Sequence, residues 1–300
     1  MKVQTRPAFA LGYYKFRSHE LLSVEQCPIS SPLINQAILA IWKKGRSGEI
    51  DLHVHEIEIF ANHDDSAFLL EVYCAPGTAP SDAQLIANSL SGIATEIRGV
   101  TVFEISAPPG REPSRLASAG QPALPYHTRT ATYRVSGGSF FQVNRFLVDE
   151  LIEIVTRGTS GALALDLYAG VGLFSLPLVR SFAQVIAVEA SQTSYIDLRQ
   201  NAPREVMAVR ATTEQYLAKV SGIRPDLVVA DPPRGGLGEK VIRDLAKLDS
   251  PRITYVSCDP STLARDLRIA MTLGYRITEA HLVDLFPQTF HLESVFHLAR

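Results

Sequence analysis

Residues 164–175, which read ALDLYAGVGLFS, decide the fold of the C-terminal part of this chain. An apolar run ends in an acid, Asp166, and Gly170 and Gly172 follow it. Glycine lets the backbone turn sharply and approach a ligand, because no Cβ atom stands in the way. A dinucleotide fingerprint needs a third glycine where Ser175 stands, so this stretch does not match one. The residues predict a strand, a tight turn and a helix; taken alone, an ordinary turn explains them equally well.

The apolar runs that follow this strand, turn and helix predict a larger sheet. Apolar runs recur, and a helix-length segment separates each from the next, which predicts parallel strands with helices on both faces. These runs lie at residues 162–168, 185–188, 206–209, 226–230 and 252–257. Two more runs, at 275–284 and 291–298, are joined by a short loop and predict an antiparallel hairpin. We therefore predict an α/β fold, a Rossmann-like class I methyltransferase domain with a mainly parallel seven-stranded sheet.

The first third of the chain predicts a smaller α+β domain. A helix is expected over residues 33–44, ending at Gly45, and a second over 82–98 with Ser81 as its N-cap. Strands are expected at 50–59 with a bulge after Val54, at 67–73 and at 100–105. Residues 107–125 hold five prolines and are predicted to be a linker. The expected domains are residues 1–125 and 126–300.

Composition limits the classes of protein that this chain can be. Of its 300 residues 46% are hydrophobic and 20% charged, and 29 basic against 31 acidic residues give a net charge of −2. Binding to a polyanion would therefore need a local patch. The three cysteines (Cys27, Cys74 and Cys258) are too far apart for a disulfide framework or a four-cysteine metal site. With no apolar stretch suited to a leader or a membrane span, we expect a cytoplasmic protein with no membrane partner.

Two acids at strand ends are candidate ligand-binding residues. Glu189 ends the second apolar run, where such folds place an acid that accepts hydrogen bonds from ribose hydroxyls. Asp231 ends a buried run and begins the sequence DPPR, which closes with Arg234. Ligands of open α/β sheets bind beyond the carboxyl ends of the strands. An acid before G-x-G suits S-adenosylmethionine, which carries a cationic amine and no pyrophosphate; the alternatives are a solvated carboxylate and a plain strand end.

Cys258 and Glu293 are candidates for acid–base and nucleophilic chemistry. Cys258 ends a buried run and precedes a helix with Asp259 as the expected N-cap, a position that lowers a thiol pKa. The alternative is a small buried apolar residue. Thr289, His291 and Glu293 alternate as in a strand and are expected on one face, where burial would raise the pKa of Glu293.

The motifs of this domain resemble those of the RNA uracil-5-methyltransferases, which make 5-methyluridine in tRNA and rRNA. The shared sequences run from about residue 139 to 293 and read FFQVN, DLYAGVG, VE, DPPRGG, YVSCDPSTLARDL and FPQTFHLE. The resemblance implies Cys258 as the nucleophile that adds to carbon 6 of uracil and Glu293 as the base. It implies contacts to S-adenosylmethionine from Gln142, Tyr168, Gly170, Glu189 and Asp231. Substrate contacts are expected from Phe140, Phe141, Arg234 and His291.

Several departures from that family bear on activity. Ala169 replaces a frequent cysteine, Leu173 stands where some members have asparagine, and Asp259 replaces the frequent asparagine after the nucleophile. The charge of Asp259 should oppose ionisation of Cys258, so we expect a less depressed thiol pKa than the helix end alone would give. Cys27 matches the last of four cluster-binding cysteines in relatives, and no cysteine precedes it. We therefore expect no iron–sulfur cluster and no metal.

RNA is the expected partner, and a monomer the expected state. Without the small RNA-binding barrel of many relatives, RNA contact would fall to the first domain. Its first 17 residues hold Lys2, Arg6, Lys15 and Arg17 and no acid, and Lys43, Lys44 and Arg46 form a second cluster. A solvated surface explains these charges equally well. Two other functions stay open: a methyltransferase for DNA or free nucleotides, and a catalytically silent RNA-binding or chaperone protein.

Overall fold

The computed structural model describes residues 1–106, 112–142, 144–289 and 291–300. By internal packing the chain divides into two compact units. The first comprises residues 1–126 and 135–138, and the second comprises residues 127–134 and 139–300.

The first unit is built on a seven-stranded mixed sheet. Its strands are β1 (Lys2–Gln4), β2 (Ala10–Tyr14), β3 (Leu21–Ser23), β4 (Val54–Ala61), β5 (Phe68–Cys74), β6 (Ile97–Glu104) and β7 (Ser114–Gly120). They lie in the order β3-β2-β1-β4-β5-β6-β7, and only the β5–β6 pair is parallel. Helices α1 (Pro32–Arg46) and α2 (Pro80–Leu90) supply buried side chains such as Ile41 and Ile86 to its core. This confirms the smaller α+β domain.

Some predicted boundaries in this unit are wrong. The second helix begins at Pro80, with Ala79 as its N-cap, and ends at Leu90 instead of residue 98. Proline fits the first helical turn, and the Ser-Gly pair at 91–92 has low helix propensity. The predicted strand over residues 50–59 begins only at Val54, but the expected bulge is confirmed as a register shift between Val54 and Glu56.

The predicted linker over 107–125 is wrong for residues 114–125; residues 107–111 lie outside the described part of the chain. Ser114–Gly120 forms β7, which pairs with β6. Ala123–His127 (β8) and Thr132–Ser136 (β9) form a two-stranded sheet. Pro113 and Pro122 flank β7 and interrupt no ladder, and Pro125 occupies an exposed position in β8. Proline is tolerated at such strand ends and edges.

The second unit contains the other seven-stranded sheet. Its strands are β10 (Gly161–Leu167), β11 (Phe182–Glu189), β12 (Val206–Arg210), β13 (Leu227–Ala230), β14 (Arg252–Ser257), β15 (Arg276–Val283) and β16 (Glu293–Ala299). Its helices are α3 (Val148–Thr156), α4 (Ser175–Leu178), α5 (Gln192–Asn201), α6 (Thr213–Leu217), α7 (Gly238–Lys247) and α8 (Pro260–Thr272). The strand order is β12-β11-β10-β13-β14-β16-β15. The first five strands are parallel, and β16 runs antiparallel to β14 and β15. The predicted Rossmann-like sheet with its terminal hairpin is confirmed.

Strand order determines where a ligand can bind in this unit. The chain proceeds outward from β10 in one direction and then returns to add β13 on the other side, which creates a switch point between them. Ligands of open α/β sheets bind at the carboxyl ends of strands near such a point. The glycine loop, Glu189, Asp231 and Cys258 all lie at the carboxyl ends of these strands. No helix in the described ranges is long and apolar enough to cross a membrane.

Candidate active site

The loop after β10 contains glycines, and one of them borders open space. Tyr168, Gly170 and Gly172 have φ values of 60°, 56° and 98°, all in the left-handed region. A Cβ atom on Gly170 would meet only the carbonyl oxygen of Phe140, at 3.9 Å. A Cβ atom on Gly172 would lie 2.7 Å from Leu176. Gly170 therefore leaves room for a ligand, whereas Gly172 is favoured by its φ of 98° and by the leucine side chains that crowd its Cβ position.

Glu189 fixes the position of this loop. Its Oε2 accepts a hydrogen bond from the amide of Gly170 at 2.8 Å, and its Oε1 accepts one from the amide of Ser191 at 2.6 Å. Carboxylate oxygens can each accept more than one hydrogen bond. The acid at the end of β11 is thus held against the glycine loop after β10.

Two buried acceptor atoms at this edge have no partner within the described residues: Asp166 Oδ1 and Gln142 Oε1. The other carboxylate oxygen of Asp166 accepts a hydrogen bond from the Ser175 hydroxyl at 2.5 Å. Burial raises the pKa of Asp166 to about 7, and the charge of Asp231 adds to this. A buried acceptor without a donor costs about 1–3 kcal/mol. These atoms fit a ligand that brings donors, such as the cationic amine of S-adenosylmethionine.

The site gathers acids whose pKa values are raised. Burial raises the pKa of Asp231 to about 7. Glu293 is buried, and burial together with the Asp231 charge raises its pKa to about 8. Acids that are desolvated and close to one another favour binding of a proton or a cation. The resulting electrostatics favour a positively charged ligand beside Asp231 and keep Glu293 mostly protonated at neutral pH.

The structure brings Cys258 and Glu293 together through strand pairing. Ser257 of β14 is the register partner of Ser294 of β16. Cys258 directly follows Ser257, and Glu293 directly precedes Ser294, so the two residues occupy facing positions at the end of the ladder. The two side chains also interact electrostatically, because the Glu293 charge raises the pKa of Cys258. Cys258 is partly exposed, whereas Glu293 is buried.

The expected low pKa of Cys258 is not what the structure gives. Burial raises the thiol pKa first, Glu293 and Asp231 raise it further, and only Arg234 and a backbone hydrogen bond lower it. Asp259, expected to oppose ionisation, caps α8 by accepting from the amides of Ser261 and Thr262 at 2.9 Å each. The raised pKa therefore comes mainly from burial and from acids that are distant in sequence, which the residues around Cys258 do not reveal.

Arg234 and His291, both predicted substrate residues, contact each other. Arg234 Nη2 lies 2.9 Å from His291 Nε2. Partial burial and the Arg234 charge lower the pKa of His291, so the imidazole is neutral and accepts this hydrogen bond. The prediction that Thr289 and His291 share a strand face with Glu293 is wrong, because β16 begins at Glu293. Loop geometry, not strand alternation, places His291 beside Arg234.

The two aromatic residues of FFQVN differ. Phe140 is 72% exposed, whereas Phe141 is only 4% exposed and its ring centroid lies 5.6 Å from that of Tyr133. Phe141 is therefore a core residue, and the prediction that it contacts the substrate is wrong. Tyr168 is partly buried against the core, and burial raises its pKa.

Sequence reasoning missed a contribution from Asn144. Its Nδ2 donates a hydrogen bond to the carbonyl oxygen of Leu285 at 3.0 Å, which ties the FFQVN segment to the FPQT loop. Asp166 is the acid before G-x-G that the sequence related to S-adenosylmethionine, but it was not counted among the expected cofactor contacts. Val143 and Phe290 lie outside the described residues.

The fold and the chemistry of this edge define the class of the protein, an S-adenosylmethionine-dependent methyltransferase. A family model described as tRNA (Uracil-5-)-methyltransferase matches residues 121–300. The chain therefore belongs to the tRNA (uracil-5-)-methyltransferase family.

Individual proteins show the same likeness. The chain is 28% identical over 309 residues to an uncharacterized RNA methyltransferase of Caldanaerobacter subterraneus, with 95% of this chain and 67% of the relative covered. It is 30% identical over 315 residues to the 23S rRNA (uracil(1939)-C(5))-methyltransferase RlmD of Halomonas elongata, with 99% and 63% covered. The chain thus spans about two thirds of the length of these relatives.

A solved structure shows the same fold. It is the crystal structure of Pyrococcus abyssi tRNA (uracil-54, C5)-methyltransferase in complex with S-adenosyl-L-homocysteine, with a TM-score of 0.78 and 21% identity. The similarity covers 99% of this chain and 74% of that one.

Proposed function

We propose that this chain transfers a methyl group from S-adenosylmethionine to carbon 5 of a uridine in tRNA or rRNA. The observation that carries the proposal is the facing position of Cys258 and Glu293 at the end of the β14–β16 ladder. A nucleophile and a base held side by side, next to an edge suited to the cofactor, are what this reaction requires. The family of the chain supports the same reaction.

Cys258 supplies the nucleophile. Carbon 5 of uracil is a poor nucleophile, and addition of the Cys258 thiolate to carbon 6 makes it an enolate carbon that attacks a methyl group. S-adenosylmethionine, when bound, supplies that methyl group as an electrophile. Arg234 lowers the thiol pKa against the effects of burial and Glu293, so it favours the thiolate.

Glu293 supplies the base. After methyl transfer the hydrogen on carbon 5 must leave as a proton before the bond between Cys258 and carbon 6 can break. The base is the deprotonated form of Glu293, the minor form at neutral pH because the pKa is raised to about 8, and the raised pKa makes that carboxylate a stronger proton acceptor. Elimination then breaks the bond between Cys258 and carbon 6, releases the Cys258 thiolate and completes the reaction.

The remaining site residues hold cofactor and substrate. Gln142 and Asp231 would accept hydrogen bonds from the amino-acid end of the cofactor, while Glu189 and Gly170 would lie against its nucleoside. Tyr168 would border the same space. These roles rest on the unpartnered Gln142 Oε1 atom, the raised pKa of Asp231 and the open space above Gly170.

The target base must leave its stack to reach Cys258. Phe140 presents an exposed aromatic ring next to the glycine loop, suited to stacking on a base that has left its helix. Arg234 and His291 form a polar pair whose arginine acts on Cys258, and they are the proposed polar contacts of the substrate.

The test is methyl transfer from radiolabelled S-adenosylmethionine to RNA of a strain that lacks this gene. After digestion to nucleosides, we expect the label in 5-methyluridine. Cys258→Ala should abolish transfer, whereas Cys27→Ala, a matched change at a cysteine of the other unit, should retain it. Label in DNA or free nucleotides instead would contradict the RNA substrate. RNA binding by the wild type without any transfer would indicate a silent binding protein.

A further inference from the structure

The hairpin of β2 and β3 exposes an unusual concentration of aromatic side chains. Every residue from 13 to 20 is exposed. Tyr13 is 47% exposed, Tyr14 is 48% exposed and Phe16 is 78% exposed. Aromatic side chains normally contribute large buried areas to cores and interfaces. Three of them exposed within four residues indicate a surface that contacts another molecule.

The tip of this hairpin is an ordered turn. The amide of Ser18 donates to the carbonyl oxygen of Lys15 at 3.0 Å, and the amide of Lys15 donates to the carbonyl oxygen of Glu20 at 3.0 Å. Arg17 takes a left-handed φ of 54°, which closes the turn. Phe16 and Arg17 are therefore held at the tip by the backbone, and binding there would cost little ordering of the chain.

The charges at the tip suit a polyanion. The Arg17 guanidinium lies 5.2 Å from the ring centroid of Phe16. Lys15 forms an ion pair with Glu20, so Arg17 gives the tip a net positive charge. No acid occurs among the first 17 residues, although the whole chain has a net charge of −2. The hairpin tip therefore has the local positive charge that binding to a polyanion needs, and this charge lies beside an exposed aromatic ring.

We infer that the hairpin tip, residues 13–20, is a binding surface for unpaired RNA, on which a base stacks against Phe16 while Arg17 faces the adjacent phosphate. The choice of RNA over another polyanion rests on the proposed function. Aromatic rings beside cations are how single strands are held, because every base offers a π-face and every nucleotide a negative charge. The arginine beside the Phe16 ring favours a negatively charged partner over an apolar protein surface.

The test measures binding of a short, fluorescein-labelled, single-stranded oligoribonucleotide of mixed sequence by fluorescence anisotropy. Phe16→Ala and Phe16→Leu should each weaken binding about tenfold, because neither side chain stacks on a base. Phe16→Trp should bind as the wild type does. Leu85→Ala removes another exposed side chain (67% exposed) in the same unit and should change nothing. Arg17→Gln should reduce the slope of the logarithm of the binding constant against the logarithm of the salt concentration by about one, the loss of one phosphate contact.

Two outcomes would overturn the inference. One is equal RNA binding by the wild type, Phe16→Ala and Phe16→Leu. The other is Phe16-dependent binding to phosphatidylglycerol vesicles without Phe16-dependent binding to RNA. Unchanged melting temperatures of the variants would exclude misfolding as the cause. Phe16-dependent RNA binding without methyl transfer would contradict the proposed function alone, whereas normal transfer with Phe16-independent binding would contradict this inference alone.

Discussion

Ser257 and Ser294 are register partners at the point where β14 ends and β16 begins. Their neighbours, Cys258 and Glu293, consequently face each other although they are far apart in sequence. Glu293 is the first residue of β16, and it lies beside the carboxyl end of β14 because β16 runs antiparallel to β14. In a parallel strand the last residue, not the first, would lie beside Cys258. The terminal hairpin of the sheet is therefore part of the site as well as of the fold.

Arg234 should control ionisation of the Cys258 thiol. Because the Arg234 charge lowers the thiol pKa against burial and Glu293, Arg234→Gln should raise that pKa, and Arg234→Lys should leave it nearly unchanged. The pH dependence of iodoacetamide modification of Cys258 measures this. Asp231→Asn should shift the pKa downward, since Asp231 raises it. Identical profiles for Arg234→Gln and Arg234→Lys would show that the charge has no effect.

Glu293 should make stability fall as the pH rises. Its pKa is about 8 in the folded protein against an ordinary value of 4.5, so between these values the folded state binds the proton and the unfolded state releases it. Stability is therefore lost as the pH rises from about 4.5 through about 8. Glu293→Gln does not titrate, so its melting temperature should exceed that of the wild type increasingly from pH 5.5 to 8.5. A difference independent of pH would contradict the raised pKa.

Gln142 should contribute to cofactor binding at a cost in stability. Its Oε1 atom is buried without a partner within the described residues. Gln142→Leu removes that acceptor, so the free protein should melt at the same temperature or higher, and S-adenosylhomocysteine should bind about tenfold more weakly. Isothermal titration calorimetry and a thermal scan measure the two effects. Gln184→Leu, at an exposed position of β11, is the control and should alter neither the affinity nor the melting temperature. Unchanged affinity in Gln142→Leu would remove this residue from the site.

Gly170 and Gly172 should respond differently to substitution by alanine. Gly172→Ala places a Cβ atom 2.7 Å from Leu176 and 2.9 Å from Leu198, so it should destabilise the fold by about 2 kcal/mol or more. Gly170→Ala meets no atom closer than 3.9 Å and should cost only about 1 kcal/mol of backbone strain. It should nevertheless weaken S-adenosylhomocysteine binding, because the methyl group enters the ligand space. Equal melting temperatures for the two variants would contradict this assignment.

The sequence predicted the second unit more closely than the first. Strand β13 (LVVA) and the stretch VIAV of β11 are continuous apolar runs, because a parallel strand covered on both faces has no polar side. Strand β7 reads SRLASAG and carries no such signal; it is a strand because it pairs with β6. Helix α2 ends earlier than its apolar spacing suggests, at a Ser-Gly pair.

Within the site, the sequence predicted which residues lie at strand ends but not their electrostatics. Cys258 and Glu293 were visible because each adjoins a strand. The raised pKa of Cys258 was not, since it depends on burial and on Glu293 and Asp231, which come from other strands. The burial of Phe141 against Tyr133 also depends on a distant segment. Contacts between remote residues are what a local sequence pattern does not encode.

The most direct test of the account is covalent capture of RNA that contains 5-fluorouridine. A base can remove the hydrogen on carbon 5 as a proton, but it cannot remove fluorine from that position. Glu293 could therefore not complete the reaction, and the bond between Cys258 and carbon 6 would persist. With S-adenosylmethionine present, we predict a stable protein–RNA adduct in denaturing electrophoresis, with Cys258 as the modified residue by mass spectrometry. Cys258→Ala should form none. No adduct with the wild type, or an adduct that survives Cys258→Ala, would contradict the central claim.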